Sequence, residues 1–486
     1  MSRFYVPWPQ REPKRWTGVS ARIASVAIRV AEIAGPILKR YPGVVFTSVV
    51  IVGCLKAWTI AIMLGGVNAV SDALVAAGHV DGRAVLTLDQ IATGKQLAGV
   101  GWPTAALWVL QFSLLRDLLG LLGVVTFASL IPIFGILAER KVSAFLQSRL
   151  GPTQVGGWHG WSQSIADGIK LIGKEDTIPA SGDAALFRLA PYLCFVPAVL
   201  AFVALPFGAY WVLRDLDVAL LFILAMLGID VIGILIAGWA SANKWSVYGA
   251  MREACQLVSY EIPMGISLLI VVMAVGSLRL NDFAAAQAGG WSNWMAFHSP
   301  WTMLAMLSYF IASLAACKRA PFDLPEAESE LVAGFHAEYS GFRWSLFFFA
   351  EYCAMFVVSG VLVILFLGAW DAPWAGLEQS IGAMVGSTWL AGLSTSREPV
   401  DQFFYGVLFS GPLWFVLKCC FFIYVQIWLR WTLPRIRIDQ VLYTCVQVLL
   451  PLNLAVLCLA AVWELARRQS GGFAMVADGI SILLSI

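Results

Sequence analysis

The densest cluster of groups able to move protons lies between Arg319 and Gly341, where the chain reads RAPFDLPEAESELVAGFHAEYSG. It sets Asp323, Glu326, Glu328, Glu330 and Glu338 within sixteen positions of a sequence that is 59% hydrophobic. Carboxylates this close in a poorly hydrated site cannot all ionise. They titrate as a coupled set with some members shifted toward neutrality, and such a set can hold and pass protons. The same residues could also form a solvated acidic loop that only caps a helix. Pro325 suits a first helical turn, and Glu326, Glu328 and Glu330 would follow near the positive helix end. Helical spacing would then put Glu326 and Glu330 on one face and Glu328 on another.

Further charges stand inside apolar runs. Glu261, in Ser259-Tyr260-Glu261-Ile262-Pro263, opens the run 257–277. An isolated carboxylate at the centre of a membrane helix costs about 2.5–3.5 kcal/mol on insertion scales, so it needs a partner, water or a proton. Pro263 predicts a helix break that frees carbonyls for water. Asp230, Glu351 and Lys418 are charges of the same kind, and together they predict a polar axis or, more simply, structural ion pairs. Basic groups gather in Glu139-Arg140-Lys141, at Arg149 before Gly151-Pro152, and at Arg430, Arg435 and Arg437 with Asp439. At helix ends such residues can do no more than set topology. Neither the four histidines (79, 159, 298, 336) nor the nine cysteines form a metal or iron–sulfur spacing. The cysteines read as small buried hydrophobes.

These groups need elements to position them. Only 13% of the 486 residues are charged and the mean hydropathy is +0.78, whereas a soluble domain carries about 25% charged residues. The chain is therefore expected to be all-α, a polytopic transmembrane bundle. Runs long enough to cross a bilayer, roughly 20 residues each, fall at 44–65, 117–138, 189–212, 216–240, 257–277, 301–317, 344–369, 404–429 and 447–466, about nine spans. Most of the 32 Lys and Arg residues fall on one side if the N-terminus is cytoplasmic, which puts the acidic loop and the basic turns there too. Residues 161–175 place Trp161, Ile165, Ile169 and Ile172 at helical spacing with Asp167, Lys170 and Lys174 elsewhere, an amphipathic helix lying in the interface. The expected organisation is a basic cytoplasmic arm (1–43), an extra span and outside segment (44–116), a membrane core (117–466) and a C-terminal tail (467–486). Segment 371–402 is a long outside connection.

Five stretches taken together resemble the H subunit of NADH-quinone oxidoreductase (respiratory complex I), the counterpart of mitochondrial NADH dehydrogenase subunit 1. They are Glu139 to Pro152, Ala166 to Glu175, Gly249 to Ile262, the acidic loop 319–341, and Trp428 to Gln440. The resemblance covers about 117–466. It departs from the family pattern at Thr153-Gln154, Ser164, Ile438 and Val446-Gln447.

The resemblance implies a subunit at the heel of a proton-translocating complex, in a bacterial inner membrane rather than a mitochondrial one. It would line the tunnel by which quinone, the substrate (ubiquinone for example), reaches a partner's iron–sulfur cluster. Glu139, Arg140, Arg149, Asp167 and Lys170 would line or gate that tunnel. Glu261, Asp323, Glu326, Glu328, Glu330 and Glu338 would carry protons toward the polar axis of Asp230, Glu351 and Lys418. Arg430, Arg435, Arg437 and Asp439 would face the docking surface. The chain would hold no metal or redox centre. Iron–sulfur clusters and FMN belong to partner subunits, among them the iron–sulfur subunit beside the quinone, the 49-kDa-type subunit and small membrane subunits. Two alternatives remain: an anchor subunit of a membrane-bound nickel–iron hydrogenase, and a stand-alone proton-coupled transporter. The latter usually carries internal repeats, and no such repeat is visible here.

Overall fold

The computed structural model describes residues 113–156, 160–208, 212–326, 328–374 and 411–469. The basic arm, the first expected span 44–65, nearly all of the outside segment before residue 113, most of 371–402 and the C-terminal tail lie outside them. The chain divides into two compact units, Met1–Lys56 with Pro152–Gln163, and Ala57–Gly151 with Ser164–Ile486. In the first, the described part is a short loop in which the Trp161 indole N–H donates to the Gly156 carbonyl at 3.0 Å.

Among the described residues the regular structure of the second unit is helical. Its main helices are α1 (Ser113–Leu146), α2 (Gln163–Gly173), α3 (Ala184–Ala204), α4 (Ala219–Ala240), α5 (Lys244–Val275), α6 (Pro300–Ala316), α7 (Gly341–Phe366), α8 (Pro412–Thr432), α9 (Ile438–Leu442) and α10 (Leu450–Gln469). A π-helical stretch, Tyr443–Leu449, joins the last two. Among the described residues seven helical stretches are long and apolar enough to cross a membrane, and α6 is a shorter eighth. Each expected span from 117 onward has its helix.

The helix ends follow local chemistry. Asp183 caps α3 by accepting from the backbone N–H groups of Ala185 and Leu186 at 3.0 and 3.3 Å. Asn243 does the same for α5 through Trp245 at 3.0 Å, and Ser299 and Thr302 form a reciprocal capping box around Pro300 on α6. Gly276 ends α5 with φ +83°, the left-handed conformation that suits glycine.

Helix α7 is the hub. Every residue from Ala350 to Phe366 is buried, as expected of a helix that is apolar all round. Phe356 of α7 lies 5.4 Å, ring to ring, from Phe127 of α1, and Phe207 lies 5.4 Å from Phe415 of α8. Small residues permit the closest crossings. A Cβ on Gly135 of α1 would stand 2.7 Å from the Tyr352 ring of α7.

Two expectations change. Pro263 does not break α5, which runs on to Val275. The missing N–H of Pro263 deprives the Ser259 carbonyl of its helical donor, yet the helix continues, and the Pro263 carbonyl itself accepts from Ser267 at 2.8 Å and from Asn453 of α10 at 2.9 Å. Pro325 does not start a helix of glutamates either. Only Glu328–Leu331 is helical, because Glu326 is drawn inward to other partners.

Candidate functional site

Helix α6 sets the position of the acidic loop. Its 17 residues reach about 26 Å, short of the roughly 30 Å hydrocarbon core. The chain therefore leaves α6 inside the protein, and Lys318 and Arg319 are buried, at 5% and 4% exposure. Close approach fastens the loop to α5. Gly334 takes φ +54°, and a Cβ there would lie 1.7 Å from the Pro325 carbonyl oxygen, while one on Gly249 of α5 would lie 2.9 Å from the same atom.

Buried Arg319 is the centre of a chain of ion pairs. Its guanidinium donates to Glu139 of α1 at 3.0 Å and approaches Glu351 of α7 at 3.5 Å. Its charge lies 4.8 Å from the Tyr352 ring centroid. Glu139, 7% exposed, also accepts from Arg430 of α8 and from the Tyr352 hydroxyl. On the loop side, half-buried Glu326 is bonded to His336 at 2.8 Å and lies beside the Glu351 carboxyl. Two carboxyls this close can share one proton. Asp323 pairs with Arg435 at 2.9 Å. Lys318 pairs with Asp230 of α4 at 2.5 Å.

The loop groups are tuned by this packing. Burial works against the charge of Arg319, but Glu139 and Glu351 outweigh it and hold its pKa well above the usual value. Lys318 is likewise desolvated, and Asp230 and Glu253 raise its pKa in spite of that. Burial, aided by the negative charge of Glu326, pushes Asp323 up to about 6 against the pull of Arg435 and Arg430. Burial also presses Glu326 upward, but the contact with His336 prevails and lowers it to about 2.

Asp230 opens onto a cavity between α3, α4, α5 and α7, lined also by Tyr260 and Glu261, with about 20 Å³ of water-accessible space. One water needs about 10–15 Å³ on that measure, so the cavity can hold water beside two carboxylates.

The structure thus joins residues that the sequence had separated. Glu139, expected beside quinone, and Arg430 and Arg435, expected at a docking surface, stand in one network with Asp323, Glu326 and Glu351. Other expected residues lie elsewhere. Arg140 pairs with Asp167 of α2 at 2.6 Å, and exposed Arg149 bonds Gln147 at 2.6 Å. Lys170 is exposed on α2, whose Ile165, Ile169 and Ile172 also remain uncovered. Glu330 pairs with Arg252 at 2.5 Å, and Glu338 accepts from Asn243 at 2.7 Å. Arg437 and Asp439 are exposed. The Glu328 side chain lies outside the described residues. Lys418 donates to the carbonyls of Leu367, Ala369 and Asp371 at 2.5, 3.1 and 2.7 Å, closing the end of α7. That end is about 24 Å along the helix from Glu351, at 1.5 Å per residue, so Lys418 does not meet the network around Arg319.

One buried acid of the described membrane-spanning helices escaped sequence reasoning. Glu253 of α5 has 0% exposure. A signal for it existed. Ser246, Gly249, Glu253, Gln256, Tyr260, Pro263 and Ser267 recur at three- and four-residue steps, and all are buried. In a membrane helix such a polar and small-residue stripe marks the face turned toward protein.

A membrane bundle with charged side chains of both signs paired in its interior belongs to the proteins that handle charge within a bilayer. A family model described as NADH dehydrogenase matches residues 119–461, and the chain belongs to that family. It is 46% identical over 332 residues to the NADH-quinone oxidoreductase H subunit of Chlorobaculum tepidum, covering 68% of this chain and 87% of the relative. It is 44% identical over 362 residues to the corresponding H subunit of Geobacillus thermodenitrificans, covering 74% and 96%. Against that of Anaeromyxobacter dehalogenans it is 40% identical over 403 residues, covering 82% and 94%.

Proposed function

We propose that this chain is the H subunit of a proton-translocating NADH-quinone oxidoreductase, lining the quinone path and linking quinone reduction to proton movement. The observation that carries the reading is the gathering of acid–base pairs around the acidic loop, Asp323–Arg435, Glu326–His336, Glu351–Arg319 and Glu139–Arg319, in which every member but Arg435 is buried or half-buried. Electrons reach quinone from a partner's redox centre, and reduced quinone becomes a base that takes up protons. Arg140, Asp167, Arg149 and Lys170, at the end of α1 and on α2, would orient quinone, with the apolar face of α2 against lipid at the entrance. A charge change there is felt strongly in a low-dielectric interior. The proton shared by Glu326 and Glu351 then moves, and the paired charges behind it re-partition toward Asp230 and Glu261. Iron–sulfur and FMN groups, the 49-kDa-type subunit, small membrane subunits and the antiporter-like subunits would be supplied by the rest of the complex. We place it in a bacterial inner membrane with the N-terminus and the acidic loop cytoplasmic, and treat 117–466 as the functional core.

The test is to tag the chain, extract it gently from its own membrane, identify what co-purifies and assay donor-to-quinone activity on the same sample. A large assembly with iron–sulfur and antiporter-like subunits and quinone reductase activity is the expected result. Nickel–iron subunits with hydrogen evolution, or a lone chain active in transport, would overturn it.

A further inference from the structure

Glu253 is a carboxylate for which the proton path above has no task. Neither of its oxygens has a hydrogen-bond partner among the described residues. It shares the buried face of α5 with Gln256 and Tyr260, three and seven residues on. Gln256 gives an amide N–H to the Ala315 carbonyl at 2.8 Å and makes no hydrogen bond to Glu253. The charged groups around Glu253 are Lys318, Asp230, Glu326 and Asp323, with Cys194 of α3 and Tyr260 also in electrostatic reach. One ammonium, Lys318, therefore serves two acids. It is bonded to Asp230 at 2.5 Å and lies close enough to Glu253 to feel its charge.

A buried carboxyl without donors is best accommodated when protonated, and one beside an ammonium when ionised. The single positive charge of Lys318 cannot neutralise two ionised acids at once, and its hydrogen bond goes to Asp230. A purely structural acid would have acquired hydrogen bonds in so crowded a place, since an unmet buried polar group is destabilising.

We propose that Glu253 is a further proton-holding residue, exchanging one proton with Asp230 while Lys318 follows the negative charge. With Asp230 ionised, Lys318 pairs with it and Glu253 keeps the proton. In the other state the Glu253 O–H bond breaks and the proton passes to an Asp230 oxygen, which faces the cavity. The negative charge then rests on Glu253, and the ammonium turns to it. The net charge of the three groups is the same in both states, so no counter-ion has to enter. Loop acids Asp323 and Glu326 on one side and Glu261 on the other make Glu253 a relay between loop and cavity. The proposal rests on the coupling role given above.

The experiment compares Glu253→Gln and Glu253→Asp in the complete assembly. It measures quinone reductase turnover, protons moved per electron, and the carboxyl C=O region of infrared difference spectra, both on quinone reduction and across a pH titration. We expect the Gln variant to assemble, to lose one carboxyl band and to slow coupled turnover about tenfold. That is less than the 10²–10⁴ of an obligatory proton-transfer group, because other acids stand nearby. The Asp variant should recover most of the rate with a shifted band. Full turnover and full stoichiometry in the Gln variant, or equal losses in both variants, would overturn the proposal. If the wild-type assembly reduces no quinone, the coupling role itself fails. The pH titration still decides for Glu253: a band lost only in the Gln variant supports proton exchange, and an unchanged spectrum refutes it.

Discussion

Glu139 shows why the network cannot be thinned one residue at a time. It receives donors from Arg319, Arg430 and Tyr352, and two of the three are themselves buried. Glu139→Gln takes from Arg319 the nearer of its two carboxylate partners, and breaking a buried pair costs about 3–5 kcal/mol. The variant should lose thermal stability of the assembled complex, with Glu139→Asp in between, as a heat-inactivation series would record. Equal half-lives for all three proteins would refute the pairing. Asp323 gives the pH prediction. An acid raised to about 6 by burial and the neighbouring Glu326 is neutral below that pH and charged above it, so its pair with Arg435 is complete only above about 6. Arg435→Gln removes a charge that lowers this value and must move the midpoint upward, while Asp323→Asn must erase it. Infrared titration of the carboxyl band reads both changes. The acids themselves were legible in the sequence because they sit in a short loop. Their partners were not, since Arg319 reaches Glu139 from 180 positions away and Arg430 from 291.

At the scale of elements, hydropathy located the spans from residue 117 onward because each is a run of apolar residues with few charges. It could not see the acidic loop's path, which depends on the shortness of α6 and on the contact between Gly249 and Gly334. Gly334→Ala puts a Cβ 1.7 Å from the Pro325 carbonyl oxygen at a φ of +54°, a conformation that favours glycine. It should displace the loop, abolish the Glu326–His336 contact and remove most coupled turnover, while the spans still insert. Gly265→Ala on α5, with nothing within 4 Å of the added methyl, is the matched control and should be close to silent. Limited proteolysis of the loop separates the two. Equal protection in both variants would mean that the loop is not held by this contact. Pro263 teaches the complementary lesson. Proline predicts a break in an isolated helix, but α5 runs through Pro263 to Val275 in contact with α10, whose Asn453, far away in sequence, donates to the Pro263 carbonyl.

At the scale of the whole molecule, the outer face of α4 and α5 asks for a covering chain. Glu261 is exposed there, among Val258 at 66%, Ile262 at 54% and Leu269 at 49% on α5, with Leu221 at 58% and Ile232 at 52% on α4. The apolar residues would be content against lipid. Glu261 would not, since a charge at the centre of a lone membrane helix costs about 2.5–3.5 kcal/mol. It also lines the water-accessible cavity with Asp230 and Tyr260, so burying it against lipid would set a hydrated cavity at a hydrocarbon boundary. A neighbouring subunit that supplies a polar group or closes the cavity resolves both difficulties. Carbodiimide labelling of Glu261 should therefore be strong in the isolated chain in detergent and fall at least several-fold in the full assembly. Glu253, buried by its own chain, should remain unlabelled in both. Equal labelling of Glu261 in both preparations would show that this face meets lipid in the complex, and the proton route through the cavity would then have to leave the protein by another side.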